Sequence, residues 1–368
     1  MANFTGDPNS VLCQYGERLA ASVPMKALLV TKIVICIAGL ALFALLGKVK
    51  PPTIIQHVNC RVLIRYNAIV TYGYTVVVLV YSMWDLIRLS IPRDNACLYL
   101  LDRRTAEIFH AVASSFLFMG VLSSSLISLE RAWCTFNLST YENAKAQNAV
   151  IGLLLVMTAA IFFIFYFLNL RSNANWNIPK LGFTTKGALN NYPTEYIIIV
   201  AFSIEFVTFV VLRIVYFFNK LRHYRIRNSP ASIGNGPSLS SKYMIKENIS
   251  VTITWGYLLT THFAIMLLSY PAIIFVMHTS DNPVETVLLC EAFNWMPLHG
   301  IALLLIIMHR YPTLKWRAFE FFFRKRIDAA RDKVAPVDCQ WDTKLYFCHL
   351  HDLFNGKSEE PKLFSFCI

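Results

Sequence analysis

Glu130 and Arg131 stand side by side where a long, mostly uncharged run ends, and Tyr141-Glu142-Asn143 follows closely. An ionisable side chain at the centre of a membrane helix costs about 2.5–3.5 kcal/mol, so an acid and a base at the rim of such a run are functional candidates. The plainer reading makes Arg131 the first positive residue beyond the bilayer. With Glu142, Glu247 and the deeper Arg213, this pair forms an inner set. A contact between Arg131 and Glu247 would hold a resting state, and its release would open a crevice on the same membrane face.

A second, outer set comprises Asp85, Arg88, Glu107, His110, Glu195, Glu205, His262, Glu291 and His299. Glu291, Trp295 and His299 recur at i, i+4 and i+8, which on one continuous helix puts them on one face beside Asn294. With Tyr270, Glu107, His110, Glu205 and His262, this face is the candidate lining of a small-molecule pocket. The competing reading is that these groups are hydrogen-bonding glue between helices. No two histidines in one span have metal-ligand spacing, and Cys339, Cys348, His349 and His351 in the tail match no usual zinc pattern, so no metal and no cofactor is expected. There is no HExxH, GxSxG or P-loop, which argues against an enzyme.

Positioning these residues requires a membrane scaffold. The chain has 368 residues, 56% hydrophobic and 15% charged, with net charge +12. That charged fraction is well below the roughly 25% of soluble domains. The basic residues sit between apolar runs and in the tail, so they report membrane orientation rather than nucleic acid. Seven apolar spans, roughly 26–47, 64–87, 105–129, 149–170, 194–218, 249–277 and 285–308, are long enough to cross a bilayer. The expected fold is all-α, a seven-helix bundle over 26–310. It follows an extracellular N-terminus (1–25) and precedes a basic amphipathic helix along the inner leaflet (311–333) and a cytoplasmic tail (334–368). Pro271 and Pro297 should kink spans six and seven.

Most of the 34 Lys and Arg fall on one side, including Lys48, Lys50, Arg61 and Arg65 in the short first loop, while Arg18, Lys26 and Lys32 count outside. That bias sets the N-terminus out and the C-terminus in. Asn3 in Asn3-Phe4-Thr5 is then a glycosylation candidate. No cleavable signal peptide is evident. The segment 228–241 is rich in Ser, Gly and Pro and reads as a mobile inner loop. Cys367 is penultimate, which excludes a prenylation box, and Cys339 remains open to palmitoylation. Cys97 precedes the third span, and the loop 171–193 holds no cysteine. Cys13 and Cys290 both stay open as its partner.

Two motifs carry a resemblance. Leu129-Glu130-Arg131-Ala132-Trp133-Cys134-Thr135 with Tyr141-Glu142 is similar to the Glu-Arg-x-x-Ala-Thr and downstream Tyr-Glu of nematode serpentine chemoreceptors of the Sra superfamily. Leu239-Ser240-Ser241-Lys242-Tyr243-Met244-Ile245-Lys246-Glu247-Asn248 resembles the Leu-Ser-x-Arg-Tyr-Gln-x-x-Glu-Asn of the Sre (class epsilon) group. Cys134 stands where alanine is usual, Lys242 replaces arginine and Met244 replaces glutamine.

The resemblance implies a G-protein-coupled chemoreceptor in the plasma membrane of sensory cilia, with a small-molecule ligand, a heterotrimeric G protein, the bilayer and a receptor oligomer as partners. It also implies that Glu130, Arg131, Tyr141, Glu142, Tyr243, Glu247 and Asn248 serve switching and coupling. Arg131 is not followed by tyrosine and span seven lacks Asn-Pro-x-x-Tyr, so rhodopsin-like activation is not carried over. The competing readings are a seven-span ligand-gated cation channel of odorant-receptor type, which would place the N-terminus inside, and a transporter, which would show internal repeats.

Overall fold

A computed structural model describes residues 10–49, 58–137, 141, 147–171, 179–181, 192–228, 239–280 and 282–311. Asn3, Glu142, most of the inner loop 228–241, the amphipathic segment beyond Tyr311 and the whole tail lie outside the described residues, as do the side chains of Glu195 and Tyr243.

Helix α1 is Val11–Ala21, α2 Val23–Val49, α3 Val58–Ser90, α4 Arg103–Phe136, α5 Gln147–Arg171, α6 Tyr192–Asn228, α7 Leu239–Thr279, α8 Pro283–Phe293 and α9 Pro297–Arg310. Seven spans are long and apolar enough to cross a membrane: α2 to α7, then α8 and α9 together. The described residues hold no strand, only one isolated bridge between Leu101 and Lys180. Helices satisfy their own backbone groups, which is why apolar segments of this length take that form in lipid.

Several helices outrun their apolar runs. Helix α7 starts at Leu239, well before the apolar run, so Glu247 and Asn248 sit on a helix rather than in a loop. It continues through Pro271 without interruption. The seventh span does break: Asn294, Trp295 and Met296 are non-helical, and α9 restarts with Pro297 at its first position. Proline lacks the N–H to continue a ladder and disfavours helical geometry in the residue before it, so a restart costs less here than a continuous helix.

Helix α4 is central, packing on α3, α5, α6 and α7, while α9 closes the bundle against α2, α3 and α7. At Gly73 on α3 an added Cβ would lie 2.4 Å from Phe116 Cε1 of α4, so only glycine permits this approach. Within the N-terminal segment 1–25, Val11–Ala21 forms α1. Ser10 caps it, its Oγ accepting from Cys13 N–H. A disulfide joins Cys13 to Cys97, which lies in the short helix Ala96–Tyr99. Cys290, the other candidate partner, is buried and lies outside this bridge. Leu19, Met25, Leu29, Leu89, Tyr99, Leu181 and Val287 pack with the two bridged cysteines into an apolar layer over this end of the bundle.

Candidate functional site: a buried arginine network and three further charge clusters

Because α4 touches four other spans, its C-terminal end meets several helices at once. Arg131 is 1% exposed. Its Nε donates to Glu130 Oε2 at 2.5 Å and its Nη2 to Glu130 Oε1 at 2.6 Å, a bidentate fork. Nη2 also donates to Tyr141 Oη at 2.8 Å, and the Tyr141 hydroxyl donates to Glu130 Oε1. Burial pushes the Tyr141 phenol well above its ordinary value; Arg131 opposes that shift and Glu130 reinforces it, so the hydroxyl keeps its proton for this bond. The Tyr141 N–H donates to Asn137 O at 2.8 Å, which ties Tyr141 to the end of α4.

Nη1 of Arg131 reaches α7 at Asn248, donating to Oδ1 at 3.3 Å. The expected ion pair with Glu247 is not among the contacts of Arg131 in the described residues. Adjacent residues on a helix point about 100° apart, and it is Asn248, fully buried, that faces α4. Asn248 Nδ2 donates in turn to Thr135 Oγ1 at 2.9 Å, as does Asn219 Nδ2 of α6 at 2.9 Å. Thr135 Oγ1 donates to Arg131 O at 2.8 Å, and Arg222 Nη1 donates to Thr135 O at 3.0 Å. Thr135 is therefore the hub joining α4, α6 and α7. Thr135 closes the first motif, where it carries no assigned role, and Asn219 is not singled out by its sequence surroundings beyond being an asparagine at the end of the fifth apolar run. Cys134, Tyr141 and Ile245 pack together beside this network.

The residues expected to line one pocket are distributed over three places. Glu107 lies in the outer loop contacts, with Lys180 Nζ at 2.6 Å and Arg103 Nε at 3.8 Å. Burial holds the Lys180 ammonium below the usual lysine range while Glu107 pulls the other way. Backbone bonds between Leu101 and Lys180 in both directions, 2.7 and 2.9 Å, fasten that loop to the start of α4. Arg88 reinforces the same end, its Nη2 donating to Asp85 Oδ1 at 2.6 Å and Leu181 O at 2.8 Å, and its Nη1 donating to Tyr99 O.

Deeper in the bundle, Glu205 of α6 and His262 of α7 are hydrogen-bonded, and the His262 ring meets His299 of α9 edge-on at 4.3 Å between centroids. His262 and His299 line a cavity of about 30 Å³ with Asn67, Thr71, Tyr74 and Ser124. That volume holds about one water and no organic ligand in this state. Tyr270 packs among Met266, Met296 and Ile273 near that level, and His110 is half-buried on α4.

Glu291 is elsewhere again: it accepts from Lys32 Nζ of α2, and both side chains are buried. Lys32, counted as an outer flanking charge, thus sits inside the span. Glu291, Trp295 and His299 do not share a face, because the break at 294–296 interrupts the helical repeat on which that reading depends.

Two kinds of comparison bear on this architecture. No curated protein matches the chain. A family profile does: the serpentine type 7TM GPCR receptor class ab chemoreceptor profile matches residues 10–319, from the cap of α1 to beyond α9. The matched class is ab, where the two motifs resembled class epsilon; class epsilon is not supported by this match. This is a family of membrane chemoreceptors and not of enzymes. With most of its length matched and seven membrane-spanning helices in place, the chain belongs to the serpentine 7TM class ab chemoreceptor family.

Proposed function

We propose that the protein is a chemosensory receptor that binds an environmental small molecule from outside and signals to a heterotrimeric G protein at its inner face, in the plasma membrane of sensory cilia. The carrying observation is the buried Arg131 network. It ties α4 to α6 and α7 through Asn248, Asn219 and Thr135, so a relative movement of these helices must break it. A network that draws its members from three helices can serve as a two-state element that ligand and G protein both bias. Glu130, Arg131, Tyr141 and Asn248 are its members; Glu142, Tyr243 and Glu247 are assigned to the adjoining G-protein contact.

The Cys13–Cys97 bridge supports an outside N-terminus, since such bonds persist in oxidising compartments. An N-inside channel topology would expose that bond to the reducing cytosol. A G-protein biosensor in cells expressing the chain tests the reading. Tyr141→Phe should raise ligand-independent signalling severalfold at equal surface expression, and Arg131→Ala should abolish coupling. Unchanged signalling in both variants would overturn the proposal.

A further inference from the structure

A lysine and a glutamate inside a membrane span invite a question that the inner switch does not answer. Lys32 Nζ has three N–H donors, and among the described residues it uses one, on Glu291. Beside the pair lies a cavity of about 10 Å³ between α2 and the broken seventh span, lined by Leu28, Thr31, Ile35, Trp295 and Leu298; it has room for no more than a water, so an organic ligand enters only as its wall moves. Thr31 and Trp295 at its rim are exposed on the lipid-facing side, Trp295 by 40%. The water side is closed: Leu29 lies one turn outward from Lys32 and Val287 one turn outward from Glu291, both fully buried beneath the layer that holds the disulfide. The wall next to the pair is the non-helical Asn294–Met296 stretch, whose Asn294 and Trp295 N–H groups bond to Glu291 O and Phe293 O outside the i→i−4 ladder of a continuous helix, and its displacement would enlarge the site.

We infer that the Lys32–Glu291 pair is a binding site for a neutral, lipid-soluble molecule carrying a carbonyl-type oxygen, admitted from the bilayer between α2 and the break in the seventh span. Charge decides the class. The pair is net neutral, so an added carboxylate would leave an uncompensated negative charge in low dielectric, and an added ammonium an uncompensated positive one. A ketone or ester oxygen accepts from the two unused N–H groups and adds no charge, while its hydrocarbon part meets the apolar lining.

This identifies the ligand site of the receptor reading and rests on it, so binding is measured apart from signalling. The full chain in lipid nanodiscs is melted in the presence of a panel of medium-chain ketones and esters with chain-matched acids, amines and alkanes. The ketones and esters should raise the melting temperature and the others should not. The double variant Lys32→Met with Glu291→Leu, which removes both charges together and so keeps the fold, should weaken that binding at least about tenfold. Glu291→Gln makes the site net positive and should turn preference towards the acids. Equal stabilisation of the native chain by acids or amines, no stabilisation by any panel member, or undiminished ketone binding in the double variant would each overturn the inference. Ketone binding without G-protein activation would instead sink the receptor reading, and activation indifferent to the double variant would sink this one alone.

Discussion

The outer Lys32–Glu291 pair and the inner Arg131 network are both buried charges in a bundle with few to spare, yet they are built differently. The outer one is an ion pair joining α2 to α8 beneath an apolar layer, with Tyr74 and Tyr81 near the carboxylate. The inner one is a web in which Glu130, Tyr141, Asn248 and Thr135 each contact more than one other member and three spans meet. A pair can be exchanged for two apolar residues because its worth is largely the mutual cancellation of two desolvation costs. A web cannot be exchanged two residues at a time, since each deletion leaves several groups unpaired. The difference teaches that the outer pair discriminates by charge while the inner web distinguishes one helix arrangement from another.

The largest test breaks the pair unevenly. Lys32→Met alone leaves Glu291 uncompensated in the bundle and should cost about 3–5 kcal/mol. A melting curve in nanodiscs would read this, and the double apolar variant should recover most of it. Next is the cap over the outer site: Cys13→Ser opens a bridge spanning 84 residues and should cost about 2–5 kcal/mol, read as lower surface expression and melting temperature. On the inner side, Tyr141→Phe removes a hydroxyl that both donates and accepts, a loss of about 1–3 kcal/mol. Because Tyr141 helps hold the resting arrangement, part of that loss should appear as raised basal signalling.

A double-mutant cycle of Tyr141→Phe with Asn248→Ala should show strong coupling, and additive effects would contradict a single web. The smallest effect belongs to a contact in neither region. Ser125→Ala breaks the 2.7 Å bond to Thr208 between α4 and α6 and should cost about 0.6 kcal/mol, with basal signalling unchanged.

The seven spans were legible because a bilayer demands uninterrupted apolar length, which hydropathy reads directly. Arg131 was legible because a charge at the rim of an apolar run stands out, and Tyr141 because it follows in the first motif. What escaped depends on geometry that composition does not carry. Lys32 lies within nine residues of the start of α2 and reads as a flanking charge until its partner on α8 is known. Glu247 was the obvious countercharge to Arg131, but a neutral neighbour, Asn248, holds the facing position. Three pocket residues at ideal helical spacing were separated by a helix break, and Glu107 was taken by a lysine in a loop that hydropathy treats as featureless. Helix α1 was hidden by its length, 11 residues, too short to register as a span.

The Cys13–Cys97 bond also constrains how the molecule comes into being. Its two sulfurs are separated in the chain by the whole of α2 and α3, so both of those helices must be threaded and the loop after them delivered to the oxidising side before the bond can close. Oxidation thus reports that the first two crossings have the right sense. A chain whose leading helix pair inserted backwards would present its cysteines to the cytosol, stay reduced, and be distinguishable during synthesis by thiol labelling.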